Sequence, residues 1–333
     1  MNIFEEFTDI KKAIPKTLYV LQDTAGINTY YNAQLKKHPF TLYINSISTI
    51  ADTIIETIHE LEKVKKVKKY QSLELDWQLE LIKATNRLLH TLFIHFNDCN
   101  LIIESFFENV NSNECKQSKN QFKKSVKSYY DHIAIPVNSI KHRSSQLRAF
   151  CFHWENDAIV GFFLQSPDNA GVLGPDVNLH KDGCSAFSFN RELPYFLVNI
   201  FATSSSLANV LHSINSKLSP KKNIIYSDVF NEKWLMALQK VSTLPKFYFP
   251  DEINKQAPLV KIQKNIVKIQ FPAKNLKVFK QPSGSFMTLS SEGDALSESK
   301  HVIPYHDLID KIKSGYVFAN ELNPKFGRII YKS

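Results

Sequence analysis

The sequence predicts an α+β fold, with an N-terminal helical bundle of four to five helices followed by a C-terminal α+β domain built on antiparallel hairpins. Three observations predict it. Apolar residues recur at intervals of three and four from Thr41 to about position 142, the signature of amphipathic helices. Near Gln146 the period shortens to two, as expected for half-buried strands. Two pairs of such runs then flank short turn-prone pieces, Glu155-Asn156-Asp157 and Lys264-Asn265, which reads as two hairpins. The expected organisation is a lead-in over 1–40, a bundle over 41–146 and an α+β domain over 147–333.

Taken in order, 17–21 predicts a short strand, and Asp23-Thr24-Ala25-Gly26 predicts a turn after it. From Thr41, Ile47, Ile50, Ala51, Ile54, Ile58 and Leu61 form one helix stripe. Lys63, Lys65, Lys66, Lys68 and Lys69 follow it, where cations complement the negative end of the helix dipole and stay solvated. A second helical stretch over 72–107 carries Leu75, Leu79, Ile82, Leu89, Phe93, Phe96, Ile103 and Phe107 on a shared face, with a break expected near 97–100. His90 and His95 lie within it and read as core or interhelix hydrogen-bonding residues. A further helix is expected over 116–132, and Pro136 is placed in the first turn of the next, where proline loses no hydrogen bond.

The C-terminal half predicts strands at 147–154 and 158–165, a glycine- and proline-rich loop over 166–182, and a short strand at 185–189. Helices are expected over 194–214 and 228–241, a second hairpin over 260–262 and 266–271, a polar stretch over 283–300 and a last helix over 304–314. No repeat of 20–50 residues is visible.

Composition narrows the function. Of 333 residues, 43% are hydrophobic and 22% charged, a globular balance rather than a disordered one. Nine glycines are too few for a glycine-dense nucleotide cradle. No G-x-S-x-G, Walker loop or H-E-x-x-H is present, so no cofactor is expected. The acidic start lacks a secretory n-region, and no apolar run is long enough for a bilayer span. The four cysteines, Cys99, Cys115, Cys151 and Cys184, form no C-x-x-C pair, which predicts reduced thiols and a cytoplasmic location. Cys151-x-His153 and His180-x-x-x-Cys184 supply zinc-type donors if hairpin and loop converge, but alternation also puts Cys151 and His153 on one sheet face, where cysteine is commonly just buried. We expect no resident metal.

The excess of 41 Lys+Arg over 32 Asp+Glu gives a net charge of +9, and it is unevenly placed. Eight basic residues (Lys116, Lys119, Lys123, Lys124, Lys127, Lys141, Arg143 and Arg148) share the 116–148 stretch with one acid, Asp131. Seven lysines and no acid fall between 255 and 280. Such stretches are either phosphate-binding surfaces or solvated faces that keep a protein soluble. Within the first, Asn138 and His142 lie one helical turn apart, flanked by Lys141 and Arg143. An imidazole so placed suits a general base, and neighbouring cations suit a phosphodiester whose negative charge grows in the transition state. With RNA the 2′-hydroxyl is the nucleophile. The alternative is structural: Asn138 caps or bonds locally and His142 satisfies a bundle carbonyl; Asp131-His132 either orients His142 or, the preferred reading, makes an N-terminal helix contact.

Asn138 and His142 give the 41–148 segment its resemblance to the HEPN superfamily (higher eukaryotes and prokaryotes nucleotide-binding domains), whose motif is an arginine, a polar residue and a histidine four to six residues on, at the start of a late helix. Asn138 matches the polar residue and His142 the histidine; Val137 stands at the arginine position, with Lys141 or Arg143 as substitutes. The resemblance implies a commonly dimeric four- or five-helix bundle and metal-independent ribonuclease activity in toxin or antiphage defence systems. Catalysis would fall to His142 as base, Asn138 for positioning, and Lys141 with Arg143 for charge stabilisation; RNA or another polyanion would bind Lys116, Lys119, Lys123, Lys124, Lys127 and Arg148. The rival expectation is a non-catalytic scaffold or sensor that binds a protein partner through its C-terminal domain.

Overall fold

A computed structural model describes residues 4–270 apart from 23–28, 67–74, 143–144, 155–156, 168–172, 177, 181–185, 219–227, 247, 250–251 and 253–256. The fold is α+β. Its elements run β1 (Phe4–Phe7), a 3-10 turn (Ile10–Lys12), α1 (Lys16–Leu21), α2 (Pro39–Lys66), α3 (Leu75–Glu104), α4 (Asn113–Ser125), α5 (Lys127–His142), β2 (Gln146–Trp154), β3 (Asp157–Pro167), β4 (Leu173–Pro175), β5 (Phe187–Ser188), α6 (Phe189–Ile214), α7 (Asp228–Ser242), β6 (Leu259–Gln263) and β7 (Ile266–Gln270).

The two long helices, α2 and α3, pack against each other because each carries an uninterrupted apolar stripe. Ile47, Ile50, Ile54, Ile58 and Leu61 of α2 are buried, as are Leu81, Leu88, Leu92, Phe96 and Ile103 of α3. The pairs Ser46–His95 and Arg87–Glu56 fix them antiparallel. Helix α3 runs through the Asn97–Asn100 stretch without a break: Cys99 and Ile102 are fully buried there, and Asn100 bonds back to the Phe96 carbonyl. Leu79, expected on the core face, is 51% exposed.

Three local expectations are corrected. Residues 17–21 form a helix rather than a strand: Thr17 donates to Ser204 through both its N–H and its hydroxyl, and Leu18, Val20 and Leu21 sink against the core. The single helix expected over 116–132 is split at Val126. Ser112 caps the first piece, its hydroxyl accepting from the Cys115 N–H, and the second continues through Pro136 to His142. Pro136 is therefore inside a helix, where it leaves the His132 carbonyl without its intrahelical donor; Ile133, Ala134, Val137 and Ser139, buried on either side, hold the helix together across the missing bond.

The hairpins form where expected. Strands β2 and β3 pair antiparallel from Gln146↔Gln165 to Trp154↔Asp157, and β6–β7 closes around Lys264-Asn265, with Lys264 at φ 54° in the left-handed conformation that primed hairpin turns require. Strand β4, inside the expected loop, pairs with β3. Strand β1 adds to β7 with Phe4 opposite Gln270, giving the order β1-β7-β6 beside the sheet β2-β3-β4, to which β5 is joined through β3. Gly161 permits the β3–β5 approach: a Cβ there would lie 2.2 Å from the Phe187 carbonyl oxygen and 2.4 Å from the Phe249 ring.

Helix α6 is buried along most of its length, its buried residues including Asn190, Glu192, Asn199 and residues 203–206 beside the apolar ones. Helix α7 lies along α2, tied at two levels by Lys233–Asp52 and Lys240–Glu62, and its Trp234 reaches the Ala13 carbonyl. The regions 283–300 and 304–314 lie outside the described residues.

Candidate nucleic-acid interface

Helices α4 and α5 present the first basic stretch. Burial of Cys115 and Phe122 sets the orientation of α4 and leaves Lys116, Lys123 and Lys124 exposed on its other side. Burial of Tyr129, Ile133, Pro136 and Val137 does the same for α5, and Lys127, Asn138, Lys141 and His142 are exposed. The spacing 127, 131, 138, 142 keeps these residues on one helical face. Over 16 residues α5 is about 24 Å long.

The cations on this surface are not equivalent. Lys119 bonds Glu104 at 2.7 Å, and Lys36 bonds the other oxygen of the same carboxylate at 2.6 Å; the two lysines hold that carboxyl below its usual range despite partial burial. Lys127 pairs with Asp131 at 2.6 Å. Arg148 is half-buried, its Nε donating to Gln165 Oε1 at 2.9 Å. Among the described residues, Lys116, Lys123, Lys124 and Lys141 have no acid within ion-pair distance. Lys123 instead stands over the Tyr130 ring, 5.9 Å from its centroid.

Asn138, Lys141 and His142 come together on the last turn of α5, open to solvent. Two features differ from the expected motif. They end a helix rather than begin one, and Val137, at the arginine position of the motif, is 2% exposed and faces the core. Arg143 lies outside the described residues. The second basic stretch contributes Lys261, Lys264 and Lys268 to the β6–β7 hairpin; Lys268 pairs with Glu6, and Lys255, Lys274, Lys277 and Lys280 lie outside the described residues.

His132 does not orient His142; it makes a helix contact, to Glu192 in the first turn of α6. Ten residues separate the two histidines, about 15 Å along the axis. Its Nε2 lies 2.8 Å from Glu192 Oε2, and since a carboxylate only accepts, the imidazole N–H donates. Glu192 is fully buried and also receives Arg191 Nη1 at 2.8 Å. The guanidinium approaches Glu252, also fully buried, at 4.0 Å. Glu252 accepts the Ser188 and Phe249 N–H groups, and burial pushes its carboxyl above the ordinary value. This network joins α5, the start of α6, Phe249 and Glu252. Pairwise spacing gives no sign of it, because His132 and Glu192 are 60 residues apart; the legible signal was the Arg191-Glu192 pair, the only charged residues besides His212 in the Phe189–Ile214 helix.

The other candidates resolve structurally. His95 is buried between Ser46, 2.9 Å from its Nδ1, and Cys99, 3.7 Å from its Nε2. Burial lowers the imidazole to about 4 and raises the thiol, so both are neutral at pH 7 and the trio makes an interhelix contact rather than an activated nucleophile. His180 accepts the Leu164 N–H through Nε2 at 3.0 Å and stacks on Phe187. The side chains of Cys151, His153 and Cys184 lie outside the described set, and the described residues contain no group of three metal-type ligands.

These features define an α+β protein with exposed lysines on α4 and α5 and an exposed histidine at the C-terminal end of α5. The chain matches no family model, no curated protein and no solved structure. Among the described residues, no helix is long and apolar enough to cross a membrane.

Proposed function

We propose that this chain binds RNA, seating a phosphate backbone along the lysine face of α4 and the last turn of α5. The observation that carries this reading is a group of exposed cations on these two helices, Lys116, Lys123, Lys124 and Lys141, that have no acidic partner among the described residues. A lysine already paired with a carboxylate gains little by moving to a phosphate, whereas an unpaired one gains the entropy of released counterions. At the end of this track the backbone reaches His142, Asn138 and Lys141. There the imidazole takes the proton of a 2′-hydroxyl, the 2′-oxygen attacks phosphorus, and the P–O5′ bond breaks; the leaving 5′-oxygen takes up a proton from water as the imidazolium returns its own, leaving a 2′,3′-cyclic phosphate and a 5′-hydroxyl. Lys141 faces the growing charge, since Val137 points away. A role in toxin or antiphage defence follows only from the resemblance to the HEPN superfamily.

Fluorescence anisotropy with labelled RNA tests the binding. Lys116→Glu combined with Lys124→Glu is expected to weaken affinity about ten-fold or more at low salt, with an unchanged melting curve because both side chains are exposed. An unchanged affinity contradicts the proposed face. Cleavage is tested separately by incubating RNA in EDTA: wild type is expected to cut and His142→Ala to lose at least 100-fold in rate. Intact RNA in both removes the catalytic step and leaves the binding reading standing.

A further inference from the structure

We infer that the strand bound is single-stranded, with an unpaired base stacking on Tyr130 in the middle of the lysine track; this rests on the RNA-binding reading above. Tyr130 lies on α5 three residues after Lys127, half-buried, its ring already ordered by Phe93 at 6.0 Å and by Phe96 edge-on at 5.2 Å. A ring held on one side by core aromatics loses little freedom when something stacks on the other. Over the ring stands the ammonium of Lys123, 5.9 Å from the centroid, one of the cations without an acidic partner among the described residues. A phosphate that draws Lys123 aside exposes the ring and brings the attached base within reach of it, so one nucleotide satisfies both groups. Helix α5 then continues to Asn138, Lys141 and His142.

Duplex RNA offers the ring nothing. Its bases are already stacked, and it is recognised by shape and by backbone and 2′-hydroxyl contacts. Cationic tracks interrupted by aromatic rings are the common device for unpaired strands. Asp131 points the same way: by neutralising Lys127 it thins the positive charge beside Tyr130, which weakens the electrostatic grip there and gives the ring a larger share of it.

The test compares three labelled probes on the full chain by anisotropy at one salt concentration: a short oligoadenylate, an abasic strand of equal length and charge, and a blunt RNA duplex. Wild type is expected to bind the oligoadenylate about ten-fold more tightly than the abasic strand and more tightly than the duplex. Tyr130→Leu, which keeps an apolar side chain against Phe93 and Phe96, is expected to erase the preference over the abasic strand while leaving abasic binding unchanged. Equal wild-type affinity for base-bearing and abasic strands, or tighter binding of the duplex, overturns the stacking inference and leaves the RNA-binding reading intact; because it uses wild type alone, this comparison holds even if Tyr130→Leu fails to fold. Failure to bind any of the three overturns the RNA-binding reading itself.

Discussion

Glu192→Ala is expected to destabilise the protein by about 3 kcal/mol, read as a lower urea midpoint. Removing one member of a buried, hydrogen-bonded charge pair typically costs about 3–5 kcal/mol, because the remaining charge stays out of water without its partner. Here the remaining charge is Arg191, only 12% exposed. The lower end of the range is expected because Glu252 stays 4.0 Å from the same guanidinium and takes over part of its compensation. His132 also loses the acceptor of its ring N–H, in a pocket lined by Phe187 and Tyr195. Glu192→Gln keeps an acceptor for the imidazole and should recover part of the loss. A cost below about 1 kcal/mol for the alanine variant contradicts the assignment of this network as the fastening between α5 and α6.

Trp234→Ala is expected to cost about 4 kcal/mol, the middle of the range for emptying a fully buried indole site. The ring is 0% exposed, packs 5.6 Å from Phe201 of α6, and donates through Nε1 to the Ala13 carbonyl at 2.7 Å. It thus ties α7 to a segment 221 residues earlier. Trp234→Phe separates the two contributions: much of the packing survives, but the buried Ala13 carbonyl loses its donor, for a cost of about 1–3 kcal/mol. Urea midpoints of the two variants measure both. A loss under 1 kcal/mol for alanine shows α7 to be loosely docked on the N-terminal half.

What the sequence disclosed, and what it hid, follows from how far apart the deciding residues lie. The α2 and α3 stripes are local patterns of isoleucine, leucine and phenylalanine, and they were readable, as were the two hairpins with their alternation and turn residues. Thr17-Leu18-Tyr19-Val20-Leu21 has strand-like composition, yet it forms a helix because Ser204, 187 residues away, takes up both Thr17 groups; tertiary contacts outweigh propensity there. Strand β1 was unreadable for the same reason, since its partner β7 lies at the far end of the described chain. Pro136 misled more directly: proline favours a helix start, but in α5 the burial of its neighbours outweighs one lost hydrogen bond. At the candidate site, Lys116, Lys123, Lys124, Lys141 and His142 are exposed, as both a phosphate-binding surface and a solvated face require. Which lysines are already occupied was not legible, because Glu104 and Asp131 select Lys119 and Lys127 through geometry. Nor was the orientation of Val137, which depends on where α5 begins.

The cationic face is tested most directly by the salt dependence of binding. Each phosphate neutralised on a single strand contributes about −0.7 to the slope of log affinity against log salt. With Lys116, Lys123, Lys124 and Lys141 engaged, anisotropy titrations of single-stranded RNA should give a slope of about −3, falling towards about −1.5 when Lys116 and Lys124 are replaced by alanine. A slope near zero in the wild type, or one that the double replacement leaves unchanged, contradicts phosphate binding at this face.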